Sequence, residues 1–310
     1  MPITHQTEGH ANHPAWIRCE LDWILASQPL VSLGSGPLQA PLAALGALDT
    51  GLLATEIAEQ WAWNGPPKRL GRRFEHLLSA LFDAIPDMRV LGHGIPIHAG
   101  DQTRGEIDFL LSFRHAIIHL EVALKYYAGV GDAADRLAPI RWVGPSTEDR
   151  LDRKINHLLT HQLPLSEDPG TLQVLARRDL PAPTHRQAWI FGRLIHPYHE
   201  ALNSAPPTPD SLFSTTGNYW CCYRDRDQAF RILSRPVGST FGWLPVGHDA
   251  LIGQHHGPAQ LPLIATQHLV ANAHHTVLAL VSRAMSKGPE RARLWILPDD
   301  FVERAWVTHS

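Results

Sequence analysis

The segment GEIDFLLSFRHAIIHLEVALKYY, residues 105–127, constrains the fold more than any other part of the chain. It alternates apolar side chains with polar or charged ones and is rich in β-branched and aromatic residues, which favour strands. Because successive side chains of a strand point to opposite faces, GEIDFLL and AIIHLEVALKYY predict two strands, and SFRH predicts the turn of a hairpin between them. Each predicted strand has one apolar face and one face that carries charges.

The charged faces of this hairpin predict a metal site. Glu106 and Asp108 share a face of the first strand, and Glu121 and Lys125 share a face of the second. Two carboxylates about 5 Å apart repel each other by roughly 3 kcal/mol at an effective dielectric constant near 20. A divalent cation reverses that sign, and Mg2+ often binds one or two carboxylates together with waters and substrate phosphates. Asp108 and Glu121 therefore predict a Mg2+ (or Mn2+) centre for phosphodiester hydrolysis, beside which Lys125 would hold a phosphate or orient water.

Two plainer interpretations of these charges stay open. If AIIHLEVALKYY is a helix, Glu121 and Lys125 form an i, i+4 surface ion pair that contributes about 0.2–0.5 kcal/mol. If it is a strand, its charged face is one exposed to solvent, as in many antiparallel sheets. Neither interpretation requires a cation.

The residues before the hairpin predict a helix and a strand. LGRRFEHLLSALFDAIP places apolar residues at i, i+3, i+4 and i+7, the spacing of an amphipathic helix, and Pro86 ends it. Glu75 lies at the margin of the apolar stripe. MRVLGHGIPIH then predicts a strand with a glycine kink.

The residues after the hairpin predict a second helix and more strands. Ser146, with Asp149 three residues later, resembles a capping box that opens the helix STEDRLDRKINHLLTHQ. Further strands are predicted from RQAWIFGRLI, NYWCCYR and RLWILP. We expect an α/β core, with an N-terminal helical layer before it and a long Pro-rich loop at about residues 196–211.

The order of these elements resembles the core of the PD-(D/E)XK nuclease superfamily: helix with Glu, strand, strand with Asp, strand with Glu and then Lys, helix. GEIDFLL, HLEVALKYY and DRLDRKINHLLTHQL are similar to the corresponding segments of an uncharacterised bacterial family of unknown function assigned to that superfamily. The resemblance covers most of the chain, including the late LPDDF stretch. It implies a restriction-endonuclease-like fold, with a central mixed sheet flanked by helices.

The same resemblance implies roles for single residues. Asp108 matches the metal-binding aspartate of the superfamily, Glu121 matches the carboxylate of its acidic-x-lysine motif, and Glu75 matches the helix carboxylate of many members. We therefore expect all three to hold the metal, Glu75 directly or through water. Asp108 and Glu121 also count, with Lys125, as the expected catalytic residues.

The lysine departs from the superfamily pattern. Ala123 stands two residues after Glu121, where the lysine is usual. Lys125 lies one pleat further, about 13 Å along an extended strand from Glu121. Lys154, on the following predicted helix, is a second candidate for the same role.

Basic residues near this site are the candidates for contact with nucleic acid. One stripe of the second helix follows the spacing i, i+4, i+7 and i+11, and consists of Arg150, Lys154, His157 and His161. Arg72 and Arg73 near the start of the first helix add two positive charges. Such groups bind the phosphate backbone. A solvated helix face explains the stripe equally well, and ordinary solvent-facing charges are the default interpretation of Arg72 and Arg73.

Composition sets the broad class of the protein. The 27 Lys and Arg residues against 30 Asp and Glu residues leave no global basic field, so binding to nucleic acid must come from a local patch. Three cysteines suit a reducing compartment. The apolar tract at residues 261–281 is interrupted by polar residues, and the N-terminus has no signal-peptide pattern. We expect a cytoplasmic protein that does not bind membranes.

The sequence predicts three parts: a helical layer at residues 1–64, a nuclease-like core at 65–200 and a C-terminal extension at 201–310. The leading hypothesis is a Mg2+-dependent nuclease, with DNA preferred to RNA as the substrate. The alternative is an inactive nuclease-like module that binds nucleic acid or a protein partner, which the displaced lysine favours. A structural protein with no nucleic-acid role is the third hypothesis.

Overall fold

The structure is a computed structural model that describes residues 13–45, 48–99, 102–202, 217–234, 241–246, 251–252, 276–282, 290 and 292–307. It is a mixed α/β protein. Seven described helices are α1 (Pro14–Ala26), α2 (Thr50–Asn64), α3 (Leu70–Ala84), α4 (Leu151–His157), α5 (Pro169–Ala176), α6 (Arg226–Ser234) and α7 (Phe301–Val307). Ten described strands are β1 (Val31–Ser35), β2 (Met88–Ala99), β3 (Gln102–Phe113), β4 (Ala116–Gly129), β5 (Trp142–Val143), β6 (His185–Pro197), β7 (Gly217–Cys222), β8 (Phe241–Pro245), β9 (Thr276–Ser282) and β10 (Ala292–Leu297).

The chain divides into two compact units. The first, here called the carboxylate unit, comprises Glu20–Lys125 and Arg153–Gly192. The second comprises Met1–Cys19, Tyr126–Asp152 and Arg193–Ser310. Each unit combines residues from more than one of the predicted segments 1–64, 65–200 and 201–310, and that linear division stays a prediction.

The predicted hairpin and its flanking elements are confirmed. GEIDFLL lies in β3 and AIIHLEVALKYY lies in β4, so the helical interpretation of the second segment is wrong. The helix before the hairpin is α3, which ends at Ala84 just before Pro86. MRVLGHGIPIH is β2, and its register with β3 shifts between Val90 and Gly92, at the predicted kink. The three later strands are β6, β7 and β10.

Two local predictions differ from the structure. The second helix begins at Leu151 and not at Ser146, because Thr147 has a positive φ of 69° and its N–H closes a turn onto Gly144 O at 2.8 Å. The segment predicted as a helical layer also contains a strand, β1, which pairs antiparallel with β6. Most of the Pro-rich loop lies outside the described residues.

The sheet of the carboxylate unit has the order β2-β3-β4-β6, with β1 also paired to β6. The β2–β3 and β3–β4 pairs are antiparallel. Helix α3 buries its apolar stripe against this sheet: Phe82 meets Phe109 edge-on at 5.4 Å, and Phe74 lies 5.4 Å from Phe191. Burying such aromatic side chains stabilises a fold by about 1.5–3 kcal/mol each, and here it fixes α3 over the hairpin.

Gly192 allows two strands of this sheet to approach closely. Its φ is 139°, and a Cβ built there would lie 1.6 Å from the carbonyl oxygen of Lys125. Any other residue would clash with the β4 backbone, so β6 can run beside β4 only because this position is glycine.

The strands of the second unit form both parallel and antiparallel pairs. β7 pairs in parallel with β10, β10 pairs antiparallel with β9, and β9 pairs antiparallel with β8. Its core includes Phe230, Trp243 and Leu294. No helix in the described ranges is both long and apolar enough to cross a lipid bilayer.

Candidate functional site

Asp108 and Glu121 meet where the β3–β4 backbone ladder ends. The last paired residues are Phe109 and Leu120, so Asp108 and Glu121 are the next residues along each strand. There the side chains replace the ladder: Asp108 N–H donates to Glu121 Oε1 at 3.3 Å, and Val122 N–H donates to Asp108 Oδ2 at 2.9 Å. Each carboxylate is thereby fixed by the backbone of the opposite strand.

Glu121 is fully buried, with 0% of its surface exposed. Its Oε1 also accepts a 2.7 Å hydrogen bond from His119 Nε2, and its Oε2 accepts one from Gln162 Nε2. His119 is equally buried, and its Nδ1 lies 2.9 Å from Ser166 Oγ. The interpretation of the charged strand face as an exposed surface is therefore wrong for Glu121.

Asp108 carries a strongly perturbed carboxyl group. Burial, and next the negative charge of Glu121, raise the pKa of Asp108 to about 8; the charge of Glu75 acts in the same direction. The hydrogen bond from Val122 and the positive charge of Lys154 oppose this rise. Because water cannot solvate the charges of both acids, a cation bound between them is electrostatically favourable.

Glu75 lies at the edge of the same site. It projects from α3, and its Oε2 is 3.0 Å from Arg72 Nη1 and 3.5 Å from His93 Nε2. His93 is in turn stacked on Phe109, the β3 residue next to Asp108, with the ring centroids 4.6 Å apart. Glu75 is thus held near Asp108 by partners from both α3 and β2.

Lys154 is linked to Glu121 through the side chain of Gln162. Its Nζ donates to Gln162 Oε1 at 2.8 Å, and Gln162 donates to Glu121. Lys125 lies four residues beyond Glu121 on β4, about 13 Å along the strand. Lys154 is thus connected to Glu121 through Gln162, and its positive charge acts on Asp108.

Arg72 and Arg73, two of the residues predicted to contact nucleic acid, differ in their exposure to solvent. Arg73 is 2% exposed, forms a bidentate ion pair with Glu20 at 2.6–3.0 Å and lies 4.4 Å over the Trp61 ring. It is not the solvent-facing charge that the sequence suggests. Arg72 is half exposed, bridging Glu75 and Glu106.

The residues of the predicted basic stripe on the second helix make different contacts. Arg150 pairs with Asp152 beside it. His157 and His161 are both exposed, and their rings stack with centroids 5.1 Å apart. Within this set, Lys154 is connected to Glu121 through Gln162.

Sequence reasoning missed the partners of Glu121. His119 shared a strand face with Glu121, and that spacing was the available signal for its contact. Gln162 and Ser166 have no such signal, because a π-helical turn (Leu158–Gln162) and a 3-10 helix (Leu163–Glu167) bring them back to β4.

The carboxylates of Asp108 and Glu121 suit a hard cation that takes only a few of its ligands from the protein. No group of three or more His, Cys, Asp or Glu side chains in the described ranges is arranged to hold a metal ion. Asp108 and Glu121 supply only two carboxylates, which is the usual protein contribution to a Mg2+ centre completed by water and phosphate. Within the described part of the chain, Asp108 Oδ1 accepts no hydrogen bond, so it is available to a ligand.

The family model described as "Domain of unknown function (DUF1853)" matches residues 19–297. Since this is most of the chain, the protein belongs to that family. No curated protein and no solved structure gave a significant match.

Proposed function

We propose that this DUF1853 protein is a divalent-metal-dependent nuclease that hydrolyses phosphodiester bonds in nucleic acid, with DNA as the first substrate to test. The observation that carries the proposal is the meeting of Asp108 and Glu121 at the end of the β3–β4 ladder, each fixed by the opposite backbone. The order α3, β2, β3, β4, α4 supports a restriction-endonuclease-like core. The cytoplasm is the proposed location.

The electrostatics of the pair support a cation between them. Partial burial and the negative charge of Glu121 raise the pKa of Asp108 to about 8. Proteins rarely keep a fully buried carboxylate such as Glu121 next to a part-buried one such as Asp108 without a compensating role, and perturbed acids concentrate at functional sites. A divalent cation bound there would supply Lewis-acid stabilisation of a phosphoryl oxygen.

The residues around the pair have distinct proposed roles. Asp108 and Glu121 hold the metal, and Glu75 assists directly through Oε1 or through water, since Arg72 and His93 both contact Oε2. Lys154 provides the positive charge that stabilises the negative charge developing on the phosphate. We assign this role to Lys154 in place of Lys125 because Lys154 is connected to Glu121 through Gln162.

A binding module without cleavage is the second candidate. Glu121 already accepts hydrogen bonds from Asp108, His119 and Gln162. A carboxylate that is satisfied internally can stabilise the fold without any cation. This hypothesis shares the predicted nucleic-acid surface and omits the metal.

Cleavage and metal binding separate the two candidates. Purified protein is incubated with single- and double-stranded DNA and RNA at millimolar Mg2+ or Mn2+, and Mn2+ is titrated by calorimetry. Asp108→Asn keeps the size of the side chain and an oxygen that can accept from Val122, but removes the charge. The nuclease proposal requires metal-dependent cleavage that Asp108→Asn abolishes and that Glu59→Gln, an exposed acid on α2, retains.

Three results would decide against the nuclease. Cleavage that survives in Asp108→Asn would exclude this site. Nucleic-acid binding without Mn2+ binding would favour the binding module. Absence of binding to any nucleic acid at every salt concentration would favour a structural protein.

A further inference from the structure

Two side-chain pairs hold Glu121, one at each oxygen. At Oε1 the pair is His119 and Ser166, with contacts of 2.7 Å and 2.9 Å along the chain Glu121–His119–Ser166. At Oε2 the pair is Gln162 and Lys154. We propose that His119 and Gln162 are positioning residues that set the Glu121 carboxylate for the cation, an inference that rests on the proposed function.

The Oε1 pair fixes the orientation of the carboxylate. A carboxylate oxygen accepts, so His119 Nε2 must carry a hydrogen, and in the neutral ring Nδ1 then accepts from the Ser166 hydroxyl. Ser166 is 4% exposed and His119 and Glu121 are 0% exposed. This burial excludes substrate from Ser166, so the three residues act as a support and not as a nucleophile with its base.

The Oε2 pair depends on the π-helical turn Leu158–Gln162. In a regular α-helix, residues eight apart are separated by about 80° around the axis. A π turn takes up one extra residue, so that positions 154 and 162 behave as if about seven apart, within about 20° of the same face. The turn therefore aligns Lys154 and Gln162 on the side that faces Glu121.

The hydrogen bonds to Glu121 leave one carboxylate lone pair for a metal ion. Oε1 accepts from Asp108 N–H and from His119, which uses both of its lone pairs. Oε2 accepts from Gln162 and retains one lone pair. Glu121 would thus bind through Oε2 alone, and any loss of His119 or Gln162 would let the carboxylate rotate away from Asp108. Second-sphere partners of this kind typically contribute 10- to 100-fold to metal affinity.

The test compares Mn2+ affinity among variants that keep or remove the donor. His119→Met and Gln162→Met have similar size without an N–H donor, and we expect each to weaken Mn2+ binding by about 10-fold or more. His119→Gln offers an amide N–H near the position of Nε2 and should stay within about 3-fold of wild type. Gln173→Met, at an exposed position of α5, is the matched control. Thermal unfolding checks that each variant is folded.

A second readout does not involve metal. Nitrogen-15 NMR of the histidine rings in the metal-free protein should show His119 with hydrogen on Nε2. Hydrogen on Nδ1 alone, or folded His119→Met and Gln162→Met variants that bind Mn2+ as wild type does, would overturn the inference and leave the nuclease proposal standing. If His119→Met does not fold, Gln162→Met decides. A wild-type protein that binds no Mn2+ would overturn both proposals.

Discussion

The backbone N–H of Asp108 donates to Glu121 Oε1, and in the reverse direction Asp108 Oδ2 accepts from the residue after Glu121, Val122. The two acids thus stand where the backbone ladder of their own strands would continue. Each carboxylate is therefore held by a hydrogen bond from the backbone of the opposite strand. Placing the two acids side by side has an energetic cost at Asp108, because burial and the charge of Glu121 raise its pKa to about 8.

The first prediction concerns stability and pH. The pKa of Asp108 rises from an ordinary value of 3.8 in the unfolded chain to about 8 in the folded protein. The folded state therefore binds more protons between those values, and its stability falls as pH increases from about 4 to about 8, by up to about 1.4 kcal/mol per pH unit. Asp108→Asn should remove this slope. Urea unfolding at several pH values tests it, and parallel curves for both proteins would contradict it.

The second prediction concerns protons released by metal binding. Below about pH 8 Asp108 is mostly protonated, so a cation must displace that proton. Mn2+ affinity should increase up to about tenfold per pH unit between about pH 6 and pH 8. Calorimetry at pH 7 in two buffers of different ionisation enthalpy should show release of close to one proton. Binding that is independent of pH and buffer would mean that the metal does not bind Asp108.

The third prediction separates the two lysines. Lys154→Met should lower the rate of cleavage by about 100-fold or more, the usual effect of removing one group that stabilises transition-state charge. It should also move the pH dependence of Mn2+ binding upward, because the charge of Lys154 lowers the pKa of Asp108. Lys125→Met should change the rate by less than about 3-fold. Activity lost in Lys125→Met and kept in Lys154→Met would restore the original assignment.

The fourth prediction assigns Arg73 to stability. Arg73→Met removes the guanidinium that pairs with the buried charge of Glu20, and breaking a buried ion pair typically costs about 3–5 kcal/mol. The double variant Glu20→Leu with Arg73→Met should recover most of that loss. Arg72→Met, which breaks exposed ion pairs, should cost less than about 1 kcal/mol. Denaturant unfolding measures all three, and an unchanged stability of Arg73→Met would refute the structural role.

Much of the carboxylate unit was predictable from local sequence. Alternation over residues 105–127 specified β3 and β4, and the same alternation placed Asp108 and Glu121 on the faces that meet. Helix α3 followed from its apolar spacing. These predictions succeed because the spacing of apolar residues, and the face of a helix or strand on which a side chain lies, depend only on residues close together in the sequence.

The rest depends on contacts between residues that are distant in sequence. The sequence around Arg73 predicts a surface charge. Its burial depends on the ion pair with Glu20, which lies 53 residues earlier in the chain. Gln162 reaches Glu121 because a π-helical turn shifts the helix register. No residue pattern in LLTHQ predicts that turn. The proposal of Lys154 in place of Lys125 likewise depends on the path of the chain after β4.

The most direct test of the account is the position of a bound metal. Crystals of the protein soaked in Mn2+ should give an anomalous peak within about 2.5 Å of oxygens from both Asp108 and Glu121, and the peak should be absent from Asp108→Asn. Anomalous density elsewhere, or carboxylates that keep their hydrogen bonds without any peak between them at saturating Mn2+, would contradict the proposed metal centre.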